Sequence, residues 1–509
     1  MKLSRKKIVV LYLLLIVLNI VLRFQPTSHE IGFDSFGIHI LANSISEFGY
    51  AKWILSPLSV FGLYPLSYSS AVQFVISGLS QATGIEIQTI IFVYTVSIGI
   101  LSIFTAYIFA NALLPENDVF KFISAAIFST SPAILTYTTW SIPSRGLLII
   151  LTPLLLYLVL NSTKSLKFSF LILILSTFLL ATHHMFYFVL PSFLALIIAL
   201  IPKLNKWKLR NEKFEKLAPL VFIIGFLIMF SIPFFTGRFL DASRYDPIYR
   251  SYTRYVGVLI PLSLGGLVYL MFKPRKRFTE LFLLLNLILL TPFIYKQTYM
   301  KWYIPIFISP LIGIGLINLA NSSFNKRTLI VSVLLLSSVV FSGYYQFLHE
   351  YDSSNYDERY IEDSTHLTGH WIKDNIESSV ISNDELFAMR LLATTETVHQ
   401  PTSSSMNNFI YGFAEVNLSN FEYYSINSEE FFYSTGKGIQ DIGQARWYNF
   451  NKMNIDCQEF GINYFIENTR SRGNLVWNHQ SEPSKLLSKA YGDSDAVYDI
   501  GATKIWKLS

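Results

Sequence analysis

Residues 29–49 read HEIGFDSFGIHILANSISEFG. Ile38, Leu41, Ile45 and Phe48 recur at three- and four-residue steps, while His39, Asn43 and Glu47 fall on another face. That spacing predicts an amphipathic helix lying in a membrane interface. Asp34 stands where an N-cap belongs, and Gly49 stands where such a helix should stop. With Glu30 just upstream, the stretch holds carboxylates at one end of a helix at a membrane surface. An apolar run at 8–23 precedes it, so this is the first segment to emerge on the far side of the first span.

The composition supports that reading. The chain has 509 residues, of which 52% are hydrophobic and only 15% charged. The mean hydropathy of +0.41 excludes an ordinary soluble globular class. Apolar runs recur from residue 8 to residue 347, and the chain then turns polar. The expected organisation is a transmembrane domain at 1–347, with a first outer loop at 24–86, and a soluble domain at 348–509. The net charge of +6 calls for no nucleic acid, because its excess lies in short loops between apolar runs. Cys457 is the one cysteine, so no intrachain disulfide can form. MKLSRKK and its apolar run lack a small-residue cleavage site, which predicts a retained first helix.

Spans are expected at roughly 8–23, 87–113, 119–139, 145–161, 166–183, 184–201, 217–235, 252–272, 279–295, 300–320 and 327–347, about eleven in all. Placing the N-terminus inside puts Arg5, Lys164, Lys167, Lys203, Arg210, Arg275 and Arg327 on the inner side, as the positive-inside tendency requires. The acidic loop at 115–119 is the one poor fit. An odd number of spans leaves the C-terminal domain outside. Residues 70–84 are too short to span at about 1.5 Å per residue and predict a second interfacial helix.

Polar features gather on the outer side. The second outer segment, TTWSIPSRG, holds Trp140 and Arg145, and the third is the turn at His183 and His184. The fourth carries Arg238, Arg244, Arg250 and Arg254 with interleaved tyrosines, and the fifth holds Lys296 and Lys301. After residue 347, THLTGHWIKDNIE and ELFAMRLLATT read as helices, SSVISND and INYFIEN as strands, and AVYDIGATKIWKL as a terminal hairpin. This predicts a small α/β domain without a Gly-rich phosphate loop or metal-ligand spacing.

The layout resembles the GT-C superfamily of membrane glycosyltransferases, which includes protein O-mannosyltransferases, aminoarabinose transferases and oligosaccharyltransferase catalytic subunits. The pieces that carry the resemblance are FDSFGIHILANSISEFGYAKW and YPLSYSSAVQFVISGLSQATGI, together with the inside N-terminus and the outer C-terminal domain. The resemblance implies an α-helical polytopic membrane fold and sugar transfer from a polyprenyl-phosphate donor at the outer face. The acceptor it implies is a glycan, lipid or protein. There are departures. TTWSIPSRG lacks the acidic residues of metal-using oligosaccharyltransferases, and the WWDYG acceptor motif is absent from the C-terminal domain. Transfer of one sugar fits better than transfer of an oligosaccharide to asparagine, and a divalent metal is left open.

Each candidate has a plainer reading beside it. Asp34 is a helix cap or, as the resemblance implies, the base that takes the acceptor proton; Glu30 is the reserve. The four arginines form a solvated loop or a phosphate clamp. Arg145 and Lys301 snorkel to the interface or contact the leaving phosphate. His183 and His184 form a polar turn, or one of them faces the active cavity. Asn161, Asn321 and Asn417 begin sequons, of which Asn417 alone is expected outside. The rival function is a transporter or lipid flippase. That function calls for ionisable residues within spans and related halves, whereas these span interiors are nearly uncharged. About eleven spans exceed what an anchor for the C-terminal domain needs.

Overall fold

The computed structural model describes residues 4–24, 27–51, 69–204, 212–235, 245–295, 297–322, 326–351, 360–376, 379–382, 385–395, 401–402, 462–468 and 495–507. α1 (Arg5–Arg23) is followed by α2 (Phe33–Phe48) and α3 (Ala71–Thr83), which stop at Gly49 and Gly84 in left-handed backbone. The bundle continues with α4 (Ile87–Leu113), α5 (Asp118–Thr130), the single turn α6 (Pro132–Leu135), α7 (Ser144–Asn161), α8 (Leu166–Thr182), α9 (Leu190–Leu204) and α10 (Glu212–Phe235). α11 (Tyr245–Val256), α12 (Ile260–Phe272), α13 (Phe278–Leu290), α14 (Gln297–Tyr303), α15 (Pro305–Asn321) and α16 (Arg327–Tyr351) complete it.

The protein is a multi-pass, mostly helical membrane protein. Among the described residues, five helical segments are long and apolar enough to cross a membrane: Ile87–Leu113, Ser144–Lys164, His184–Ile201, Phe278–Tyr295 and Arg327–Tyr345. A sixth arises if α11 and α12, which meet at 90°, form one broken span. Leu166–Thr182, Leu217–Pro233 and Pro305–Asn321 are apolar but shorter. Two expected spans are broken for local reasons. Pro132 holds Ser131 extended (φ −64°, ψ 143°), which ends α5 at Thr130. Gly257 takes φ +99° between α11 and α12, where a helix cannot continue.

Exposed apolar stripes mark lipid-facing sides. Val10, Leu14, Val17 and Val21 run along α1, and Leu329, Val333, Leu336 and Val340 run along α16. Arg23 is buried at the end of α1 and is satisfied without a carboxylate. Its Nε donates to Thr138 Oγ1 (2.9 Å) and its Nη1 to Asn19 Oδ1 (2.7 Å). At the basic end of the bundle, Glu116 pairs with Arg277 at 2.5 Å. The Arg277 hydrogen bond holds the Glu116 carboxyl below its ordinary range. The acidic loop thus meets a basic loop, which removes its misfit with the charge pattern.

The C-terminal elements are α17 (Asp363–Asn375), β1 (Ser379–Ser382), α18 (Glu385–Thr395), β2 (Pro401–Thr402), β3 (Ile462–Asn468), β4 (Asp495–Asp499) and β5 (Thr503–Lys507). They form a five-stranded sheet in the order β2-β1-β3-β5-β4. β1 runs parallel to β2 and β3, and β5 runs antiparallel to β3 and β4. Ile372, Ile376, Phe387, Leu391, Ile466 and Ile505 make its core.

Two of the polar residues of α2, His39 and Asn43, do not form a free face, since both are buried. Phe36 and Ile40 pack against Ile361, Leu392 and Ala393, and Asn43 Nδ2 donates to Ala393 O at 3.4 Å. Apolar residues at 36, 38, 40, 41, 42 and 45 surround the helix, so burial on several sides is its stable state. α2 is held between α3 and α18. Nearby, Ile31 bridges to Tyr360, and His29 lies 3.3 Å from Asp363. Burial lowers the His29 pKa, with Asp363 opposing the shift.

Candidate active site

Two hydrogen bonds join the segment before and at the start of α2 to the segment between α6 and α7. Ile31 N donates to Trp140 O (2.8 Å), and Ile142 N donates to Ser35 Oγ (3.3 Å). Ser35 Oγ donates in turn to Glu30 Oε2 (3.0 Å), and His39 Nδ1 lies 2.6 Å from Glu30 Oε1. Glu30 is fully buried in this network and is not among the residues lining the cavity beside Asp34. Glu30→Ala would leave the buried Ser35 hydroxyl short of an acceptor, at a cost of about 1–3 kcal/mol, and would remove the carboxylate beside His39. The expected result is a lower melting temperature in detergent with turnover per folded molecule retained. A loss of turnover at unchanged melting temperature would instead give Glu30 a chemical part.

Asp34 does not sit at the N-cap. The cap is Gly32, whose φ of +96° turns the chain into α2, and Asp34 falls in the first turn. A carboxylate there is favoured by the unpaired N–H groups of the helix start. It is more than half exposed and forms an ion pair with Arg145, in the first turn of α7. The Arg145 side chain is only 15% exposed. Its guanidinium lies over the rings of Trp302 (5.1 Å), Tyr137 (5.2 Å) and Tyr299 (5.9 Å). Its Nε is buried with no hydrogen-bond partner among the described residues.

Asp34 and Arg145 line a cavity of about 180 Å³ together with Thr182, His183, His184 and Tyr299. Both histidines reach it. Two adjacent residues on an α-helix diverge, but here the helix has ended. His183 is extended (φ −162°, ψ 145°), and a 3-10 helix starts at His184. The two rings lie 4.1 Å apart, and His184 meets Tyr299 edge-on at 5.2 Å. His183 Nδ1 accepts from Met185 N at 3.0 Å, so a neutral ring carries its proton on Nε2.

Lys301 and Arg254 extend the cationic side. Lys301 Nζ lies over Trp302 (4.5 Å) and Tyr255 (4.6 Å). Arg254 donates to Tyr345 Oη and lies over that ring at 4.8 Å. Arg145, Lys301 and Arg254 therefore follow one edge of aromatic rings, and among the described residues neither Lys301 nor Arg254 pairs with a carboxylate. Arg250 is exposed on α11 and is not among the cavity-lining residues. Arg238, Arg244, Lys296, Asn417 and Cys457 lie outside the described residues. Sequence reasoning missed the aromatic partners, Tyr137, Tyr255, Tyr299 and Trp302. The run QTYMKWY, with three aromatics beside a lysine, carried a signal for Tyr299 and Trp302.

The donor set at the cavity does not suit a divalent ion. Asp34 is the one carboxylate among the lining residues and already faces a guanidinium. Among the described residues, Asp34, His183 and His184 do not bring three ligand atoms within reach of one ion. The arrangement suits an anion next to a proton acceptor: buried guanidinium on one side, exposed carboxylate on the other.

Solved structures share this fold of a helical membrane bundle followed by a C-terminal sheet. The archaeal oligosaccharyltransferase AglB from Archaeoglobus fulgidus, solved with an inhibitory peptide and a dolichol-phosphate, aligns over 91% of this chain and 70% of its own, with a TM-score of 0.54 and 13% identity. The apo form of the Archaeoglobus fulgidus oligosaccharyltransferase aligns over the same shares, with a TM-score of 0.53 and 11% identity. At these identities the likeness is one of fold. No family model matches the chain, and no curated protein matches it in sequence.

Proposed function

We propose that the protein is a membrane glycosyltransferase that moves a sugar from a polyprenyl-phosphate donor to a glycan, lipid or protein acceptor at the outer face of the cell membrane. The observation that carries this reading is the Asp34–Arg145 pair at the mouth of the outer cavity. The donor phosphate competes with Asp34 for the guanidinium, whose planar donors match phosphate oxygens. Asp34, released, accepts the proton of the acceptor hydroxyl as its oxygen attacks the anomeric carbon. The bond from that carbon to the phosphate oxygen breaks, and its electron pair leaves with polyprenyl phosphate. Lys301 and Arg254 extend the positive field along the path of the leaving group, and Arg238, Arg244 and Arg250, which precede Arg254 in sequence, are assigned to the same phosphate clamp. His183 and His184 face the acceptor side of the cavity as hydrogen-bond donors.

The same reading places the N-terminus in the cytoplasm and the C-terminal domain outside, with α1, α5 and the shorter apolar helices bringing the crossings to about eleven. In a Cys457→Ser background, Lys164→Cys is expected to label only from the cytoplasmic side and Lys373→Cys only from the outside. Both positions are exposed. Labelling of both from one side contradicts the topology.

A flippase is the second reading, since it also binds a lipid phosphate. Proteoliposomes loaded with a radiolabelled polyprenyl-phosphate sugar separate the two. A transferase consumes the donor and releases polyprenyl phosphate when acceptor is present. A flippase moves the donor intact between leaflets and leaves the amount unchanged, and that result would overturn the proposal.

A further inference from the structure

A second cluster lies apart from the cavity, where the C-terminal domain meets the start of α4. His366 and His370 are four residues apart on α17 and so share one face. Their Nε2 atoms are 3.2 Å apart. Glu86, the residue that precedes α4, brings a carboxylate oxygen to the same point. One ligand atom from each of the three lies within 4.8 Å of the others. Zinc–nitrogen distances of about 2.0–2.1 Å and tetrahedral angles place two imidazole nitrogens roughly 3.3 Å apart. The observed spacing fits one ion between them with little movement.

The surroundings hold the ligands in place. His29 stacks on His366 with ring centroids 4.1 Å apart and planes 19° apart. His29 is itself held by Gln88 Nε2 at 2.7 Å and Asp363 at 3.3 Å. The His366 ring is therefore oriented by a residue of the first outer loop, itself tied to α4 and to α17. Two imidazoles and a carboxylate select a borderline metal. Magnesium and calcium prefer oxygen ligands throughout.

We propose that Glu86, His366 and His370 bind one zinc-class divalent cation that pins α17 of the C-terminal domain to the start of α4. Three protein ligands leave a fourth position for water. The site uses none of the residues assigned to sugar transfer. The metal closes a long chain loop and fixes the C-terminal domain over the outer helices.

The test uses the full-length, tag-free protein in detergent, stripped with EDTA and titrated with zinc chloride against a chromophoric chelator. The parent is expected to take up one zinc per chain that magnesium chloride does not displace. His366→Ala and His370→Ala are each expected to lose it. Glu86→Gln keeps the shape of an exposed side chain, so it covers the case in which a histidine variant fails to fold. It is expected to weaken zinc by at least about tenfold, the smallest loss seen when even an outer partner of a metal ligand is removed. Zinc is also expected to slow amide exchange in α17 in the parent alone. No zinc bound by the parent at micromolar concentration, or equal zinc in the parent and all three variants, overturns the proposal.

Discussion

Asp34→Asn is expected to fold, insert and bind donor, while its turnover falls by about 10²–10⁴-fold, the usual contribution of general acid–base catalysis. The substitution is nearly isosteric but removes the proton acceptor. It also removes the counter-charge that Arg145 faces in the resting protein. Donor affinity should therefore hold or rise, because the phosphate no longer competes with a carboxylate for the guanidinium. A purely structural Asp34 gives a different pattern. It stands in the first turn of α2 with 58% of its side chain exposed, so its loss as a helix-start charge is worth only about 0.3–1 kcal/mol. Turnover equal to the parent's removes Asp34 from the chemistry.

Arg145→Ala is expected to act on the other term. A hydrogen bond to a charged group is worth about 1.5–3 kcal/mol, so donor affinity should fall by roughly ten- to a hundredfold. Arg145→Lys keeps the charge but loses the planar fork that lies among Tyr137, Tyr299 and Trp302. It should recover only part of the loss. Equilibrium binding of radiolabelled polyprenyl phosphate measures both variants. Unchanged binding in Arg145→Ala would reduce the residue to a structural ion pair. Arg254→Ala should show a smaller effect, because Arg254 is exposed at the far end of the aromatic edge.

Much of the fold was legible because its signals are local. Helices α2 and α3 stop at the glycines where the pattern placed their ends, and α17, α18, β1, β3 and the β4–β5 hairpin fall on the segments whose periodicity announced them, while the two-residue β2 was not read. The two broken spans were less legible. Hydropathy runs straight through Pro132 and Gly257, while the backbone cannot. Residues that meet across the fold were not legible at all. Asn43 looks like part of a polar face of α2 until α18 reaches it, and His39 until Glu30 meets its ring. Asp34 and Arg145 were each visible as a candidate, but their pairing depends on Gly32 turning the chain and on Ile31 joining Trp140. His366 and His370 stand at the i, i+4 spacing of a helical metal pair, which corrects the reading of the C-terminal domain as lacking metal-ligand spacing; Glu86 was not legible, because the packing of α17 near α4 brings it to them.

In the proposed reaction a lipid phosphate binds at Arg145 and frees Asp34. An experimental structure of the full-length protein with polyprenyl phosphate bound tests it directly. The expected result is phosphate density in the outer cavity within hydrogen-bond reach of the Arg145 guanidinium, with the Asp34 carboxylate turned away from it and open to the cavity. Phosphate density elsewhere, with the Asp34–Arg145 ion pair intact, would contradict it.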